Sequence, residues 1–197
     1  MNTYVDAKAE TLSGAVLAPV DWAKRAALVV AFSLLIALSA QVVVPLPWTP
    51  VPVTLQTFAV LLTGALLGSR LGAVALFAYL LEGMAGLPFF SMGRGGAAHL
   101  LFSPTAGYLL AYPVAAFVTG RLAERGWDRR YLSAAAAMAL GSAVILAGGW
   151  LGLLRLYQPA QAFALGVAPF LAGDAVKIAL AAAVLPSGWA LVRAGRK

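Results

Sequence analysis

The residues of this chain that could do chemistry are few. Asp174 and Lys177 stand three apart in an otherwise apolar run, Pro169–Leu180. On a helix that spacing puts both on one face. An ionisable group at the centre of a membrane helix costs roughly 2.5–3.5 kcal/mol to insert, so the least costly arrangement is an inward-facing pair, and such a pair marks a functional site by default. Arg94 lies in a second stretch, Gly93-Arg94-Gly95-Gly96. Its glycines allow a loop to fold back and present backbone N–H groups at close range. Two cations, a carboxylate and a donor-rich backbone suit a small polar ligand carrying an anionic group. A ligand carboxylate would pair with Arg94 or Lys177. Asp174 would accept hydrogen bonds from ligand N–H groups or hold Lys177 in place. The plainer alternative is a structural intrahelical pair and a solvated loop arginine.

Other chemistries find less support. His99 is the only histidine and there are no cysteines, so no metal site, thiolate nucleophile or disulfide is expected, and no cofactor. Ser91, Ser103 and Thr105 have no histidine–acid pair in a recognisable arrangement, which argues against nucleophilic hydrolysis. An intramembrane enzyme using Asp174 with Lys177 or His99 would lack a second acid. No GxxxxGK[ST] loop occurs in the chain, so any ATP-driven work needs another subunit. Glu82 reads as a side chain snorkelling to the outer interface.

The elements that must position these residues are membrane helices. Of 197 residues, 62% are hydrophobic and 11% charged, against about 25% charged in a soluble domain. Such a chain cannot cover itself with polar surface, so lipid must be its solvent. At about 20 residues per span, six spans use roughly 120 residues. The expected architecture is all-α: a polar lead over 1–21, with room for a short interfacial helix, one six-helix membrane domain over 22–192, and a basic tail over 193–197. The spans run about Trp22–Val43, Thr54–Leu67, Leu71–Leu87, Pro104–Leu122, Tyr131–Leu154 and Pro169–Leu191. An apolar stretch at 160–168 forms a partial helix before the last, and Pro186 sits within it. Four prolines between Pro45 and Pro52 exclude a regular helix there and predict an ordered external loop. Trp22, Trp48, Trp127, Trp150 and Trp189 fall mostly at span ends, as interfacial anchors.

Charge gives the orientation. The net charge is +7, and eleven of the 14 Lys and Arg, including Lys24, Arg25, Arg70 and the Arg121–Arg130 cluster, fall at the two termini or in even-numbered connections. Only Arg94 and Arg155 fall on the other side. This is the positive-inside pattern, with both termini cytoplasmic, and not a basic face for nucleic acid. Asp174, Lys177 and Arg94 then lie toward the outer side. In the cytoplasmic half of the first span, Ala23, Ala27 and Ala31 recur every four residues, a small-residue stripe that lets another helix approach closely.

Four stretches together resemble a known family. Pro50-Val-Pro-Val-Thr-Leu-Gln-Thr-Phe58, the glycine-rich loop with Arg94, Pro104-Thr-Ala-Gly-Tyr108 and Gly173-Asp-Ala-Val-Lys177 resemble the BioY family, the biotin-specific S components of energy-coupling factor (ECF) transporters. The likeness covers about residues 22–190. It implies a six-helix fold in a bacterial or archaeal cell membrane. Biotin would be captured outside and delivered inward by reorientation, without covalent chemistry. It also implies docking of the alanine stripe, here Ala23, Ala27 and Ala31, onto a transmembrane coupling protein carrying two ATPase subunits. The family's pocket residues map onto Arg94, Asp174 and Lys177, with Gln56, Tyr79, Gly93, Gly95 and Gly96 as secondary candidates. An S component for another small vitamin is the alternative. The chain departs from the family at Ala106-Gly107, where paired glycines are frequent, and at Glu82, where a small residue is usual.

Overall fold

The computed structural model describes residues 11–17 and 21–194; most of the expected polar lead, and the tail beyond Ala194, lie outside the described residues. The described chain is helical throughout, with one two-stranded ribbon. In order it runs α1 (Leu12–Leu17), α2 (Trp22–Ser39), β1 (Val43–Val44), β2 (Val53–Thr54), α3 (Gln56–Leu67), α4 (Ser69–Met84), α5 (Ala97–Phe102), α6 (Ala106–Glu124), α7 (Tyr131–Leu153), α8 (Pro159–Gly166) and α9 (Leu171–Ala194). Among the described residues, three stretches are long and apolar enough to cross a membrane: Trp22–Ser39, Tyr131–Leu153 and Pro159–Ala194. Helix α3, with 12 residues, is about 18 Å long at 1.5 Å per residue, less than the ~30 Å of a hydrocarbon core. Phe77, Phe117, Leu132, Val184 and Leu191 are exposed, an exterior suited to lipid rather than water.

Helix α6 is the hub, packed against α3, α4 and α7. Small residues make this possible. A Cβ on Gly107 of α6 would sit 2.2 Å from the Gly148 carbonyl oxygen of α7, and one on Gly64 of α3 would sit 2.3 Å from the Ala116 carbonyl oxygen of α6. These backbones touch directly. In lipid, where apolar burial between helices gains little, such van der Waals contact is a main source of helix association.

The proline-rich segment is ordered as expected. It is closed by β1 and β2, which pair antiparallel with Val43 opposite Thr54 and Val44 opposite Val53. The segment 88–103 is more structured than an external loop: a 3-10 turn at Ser91–Gly93 leads into α5. At the opposite, arginine-rich end, Trp189 is not an interfacial anchor. It is buried, its indole N–H donates to Asp128 at 2.5 Å, and the Arg129 guanidinium lies 4.6 Å from its ring centroid. Asp128 is itself buried, and burial pushes its carboxyl above the usual range.

Candidate functional site

Asp174 sits in the first turn of α9, where the positive end of the helix dipole favours a carboxylate. It is 7% exposed. One carboxylate oxygen accepts from the Ser142 hydroxyl of α7. The other lies 3.6 Å from Lys177 Nζ. Lys177 also reaches beyond its own helix. Its ammonium donates to the Thr54 carbonyl at 2.9 Å and to Thr57 Oγ1 at 2.7 Å. The pair therefore ties α9 to β2, α3 and α7, and a purely intrahelical ion pair is not what the chain forms.

Beside it runs a second polar string. The Tyr112 hydroxyl donates to Gln56 Oε1 at 3.5 Å, Gln56 Nε2 donates to the Tyr79 hydroxyl at 2.5 Å, and Tyr79 donates to the Phe89 carbonyl at 3.2 Å. Gln56 and Tyr79 are both buried. Gln56 reaches the cavity described next, whereas Tyr79 stands behind it and fixes its amide.

Asp174, Lys177 and Gln56 line one cavity, together with Tyr108, Tyr112 and Phe170. Ile145, Leu146 and Phe90 complete its apolar walls, and Thr54, Thr57 and Thr105 add hydroxyls. Tyr108 is held by donating to the Gly166 carbonyl. The free volume is small, about 40 Å³, room for only about three waters at ~10–15 Å³ each.

Arg94 is exposed and does not line this cavity. It lines a neighbouring one of about 120 Å³ with His99, Met92 and Ser103. The two cavities share Pro52, Ser91 and Thr105 as a common wall. The Arg94 guanidinium has no hydrogen-bond or ion-pair partner among the described residues. His99 stacks on Phe90 with ring centroids 5.5 Å apart. Burial, and then the charge of Arg94, hold its pKa below the ordinary value.

The glycine-rich loop corrects one expectation. The Gly93 N–H donates to Gln41 Oε1 and the Gly96 N–H to the Gly83 carbonyl, so neither is free for a ligand. Gly93 and Gly96 have φ of 68° and 92°, and between them and Met92 (φ 62°) the loop turns through the left-handed region, which favours glycine. A Cβ on Gly95 would meet the Leu87 carbonyl oxygen at 2.3 Å. The three glycines thus shape the loop. Gln41, two residues past the end of α2, latches it, its amide N–H groups reaching the carbonyls of Pro88 and Phe90 at 3.3 Å.

Glu82 also differs from expectation. It is half-buried, and its Oε2 is shut away from solvent with no hydrogen-bond partner among the described residues. It does not simply snorkel out. Ala23, Ala27 and Ala31 are all exposed. Ser142, Thr57, Tyr108 and Tyr112 line or brace the cavity without having been expected. Only the i, i+4 spacing of the two tyrosines on α6 hinted at a shared face.

The chain is similar to proteins of one kind. Residues 7–194 match the model of the BioY family. A protein of Pyrococcus horikoshii named as a probable biotin transporter BioY is 42% identical over 159 residues, covering 81% of this chain and 92% of that protein. The biotin transporter BioY of Thermotoga maritima is 37% identical over 154 residues, covering 78% of this chain and 88% of its own length. A crystal structure of the S-component for biotin from an ECF-type ABC transporter superposes with a TM-score of 0.74, at 22% identity, over 84% of this chain and 90% of that one. The two share a fold.

Proposed function

The chain belongs to the BioY family, and from that premise we propose that it is a biotin-binding membrane subunit of an ECF-type vitamin transporter, a transport protein and not an enzyme. Its relatives carry the name of biotin transporter. Asp174, buried at the head of α9 in a cavity walled by Tyr108, Tyr112 and Phe170, is the observation that carries the reading.

Biotin presents two ureido N–H donors, an apolar bicycle and a carboxylate on a flexible tail. Asp174 is an acceptor for the ureido donors, and the aromatic wall suits the bicycle. The tail carboxylate needs a cation if it is to leave water. Lys177 is already engaged by Asp174, Thr54 and Thr57, whereas Arg94 is unpartnered across the shared wall of Pro52, Ser91 and Thr105. The bicycle therefore sits at Asp174 and the tail runs toward Arg94. The small free volume requires side chains to move apart on binding, and the loop latched by Gln41 is the roof that must yield.

We further propose a multi-pass cell-membrane protein of six spans, with the arginine-rich end cytoplasmic and the cavity opening outward. Binding would be followed by reorientation, driven by a transmembrane coupling protein and its two ATPases. The exposed alanine stripe of α2 supports the docking of such a partner.

Titration calorimetry with biotin and biotin amide tests the pose. The wild type should bind biotin more tightly than the amide. Arg94→Ala should abolish that preference, and Asp174→Asn should weaken both ligands at least about tenfold. Unchanged biotin affinity in Asp174→Asn would remove the site assignment.

A further inference from the structure

A cleft much larger than the one that contains Asp174 stands elsewhere in the molecule. It lies at the arginine-rich end, between α1, α2, α4 and α6, and has a free volume of about 510 Å³. Arg25, Arg70 and Arg121 all line it. Arg121 donates to Glu124 at 3.1 Å, and Glu124 in turn accepts from the N–H and hydroxyl of Ser69 at 2.7 and 2.8 Å. One arginine of the three is therefore fixed by the turn between α3 and α4. The guanidinium groups of Arg25 and Arg70 have no hydrogen-bond or ion-pair partner among the described residues.

Thr11, Ser13, Ser69 and Glu124 add polar groups to the lining, and its apolar part, Leu28, Leu67, Leu71 and Val74, is ordered along the helices. Leu28 follows Arg25 by three residues on α2, and Val74 follows Arg70 by four on α4. Each apolar side chain therefore stands one turn deeper on the same face, about 4.5–6 Å at 1.5 Å per residue. Leu71 adds to the same wall, and Val74 is exposed. The cleft is thus cationic at its mouth and greasy further in, along the gap between α2 and α4.

We propose that this cleft is a binding site for an anionic phospholipid, its phosphate held by Arg25, Arg70 and Arg121 and one acyl chain lying along Leu28 and Val74. A soluble phosphate compound would use the arginines but not the apolar track. Basic pockets between spans on the cytoplasmic side are where anionic headgroups bind, so the inference rests on the proposed orientation. Arg125→Cys, outside the cleft in a chain with no other cysteine, labelled on intact cells with membrane-permeant and membrane-impermeant thiol reagents, checks that orientation separately.

The test is native mass spectrometry of the full chain, purified in mild detergent and exchanged with phosphatidylglycerol or phosphatidylcholine. The wild type should retain phosphatidylglycerol at least fivefold more than phosphatidylcholine. An Arg25→Gln/Arg70→Gln variant should lose that preference while Arg125→Gln keeps it, and biotin binding should be the same in all three. Equal retention of the two lipids by the wild type, or an unchanged preference in the double variant, overturns the site. So does displacement of the lipid by millimolar glycerol 3-phosphate, which would assign the cleft to a soluble anion. Loss of coupling-protein copurification with lipid retention intact would assign it to a protein partner and equally overturn it.

Discussion

Replacing Lys177 by methionine keeps most of the side chain's volume and removes its charge. Asp174 is then left with the Ser142 hydroxyl as its one neutral donor. The two side chains are only 14% and 10% exposed, so the orphaned carboxylate has little water to turn to. Removing one partner of a buried pair costs about 3–5 kcal/mol. For a chain of this length each kcal/mol moves the midpoint by about 2–4 °C, so Lys177→Met should unfold roughly 6–20 °C lower in thermal melts in a single detergent. Adding Asp174→Asn removes the second charge and leaves a carbonyl to accept from Ser142. What remains lost are the hydrogen bonds from Lys177 to Thr54 and Thr57, at about 0.5–1.5 kcal/mol each. The double variant should therefore be more stable than Lys177→Met alone, with a coupling of at least about 2 kcal/mol. If the two losses simply add, the buried pair is not a coupled unit and the energetic account of the site is wrong.

Four further outcomes follow from particular residues. A Cβ on Gly149 would lie 2.1 Å from the Tyr108 ring, so Gly149→Ala should push that wall of the cavity and weaken biotin binding at least about tenfold by calorimetry. Gly173→Ala, one residue from Asp174 but with nothing within 4 Å of the new methyl, should bind normally and gain about 0.4–1 kcal/mol of stability from its stiffer unfolded chain. His99 has its pKa held below its ordinary 6.5; the unfolded chain then takes up a proton first as pH falls. Stability should accordingly decline below about pH 6.5 down to the folded pKa and be flat above it, and His99→Gln should remove that slope in pH-resolved thermal melts. Ala27→Trp, on the exposed stripe of α2, should abolish copurification with the coupling protein while leaving biotin affinity within about twofold; loss of binding with assembly intact would contradict the docking role.

Asp174 and Lys177 were legible in the sequence because a charge in an apolar run is expensive and must be explained. Ser142 and Thr57 were not, because a hydroxyl in a membrane helix can satisfy itself on its own backbone. Thr63 and Thr119 do that here, donating to the carbonyls of Ala59 and Ala115 four residues back. Nothing in residue type separates those threonines from the one that holds Lys177. The helix seams were hidden for a related reason. Glycine is common throughout, and only the fold shows that Gly107 and Gly148 bring two backbones into contact whereas Gly173 faces open space. Trp189 and Asp128 illustrate the reverse error: a tryptophan near a span end and an acid in a charged cluster both read as surface residues. Each instead supplies the hydrogen-bond partner that lets the other be buried.

The separation of Arg94 from Asp174 and Lys177 has a physical logic of its own. A buried carboxylate and ammonium compensate each other's desolvation only if nothing else competes for them, and the hydrogen bonds of Lys177 to α3 and of Asp174 to α7 use most of their remaining capacity. A third full charge in the same small cavity would leave one cation uncompensated in a low-dielectric interior. Arg94, held outside by a loop that Gln41 latches, remains hydrated and has no such cost. It can still meet a ligand carboxylate at the rim, where the desolvation of both ions is partial. In the proposed pose, the polar ring is recognised by a preformed, internally neutral pair and the tail by a solvated charge. The ring contacts should therefore set dissociation, and the rim contact should set the salt dependence of association.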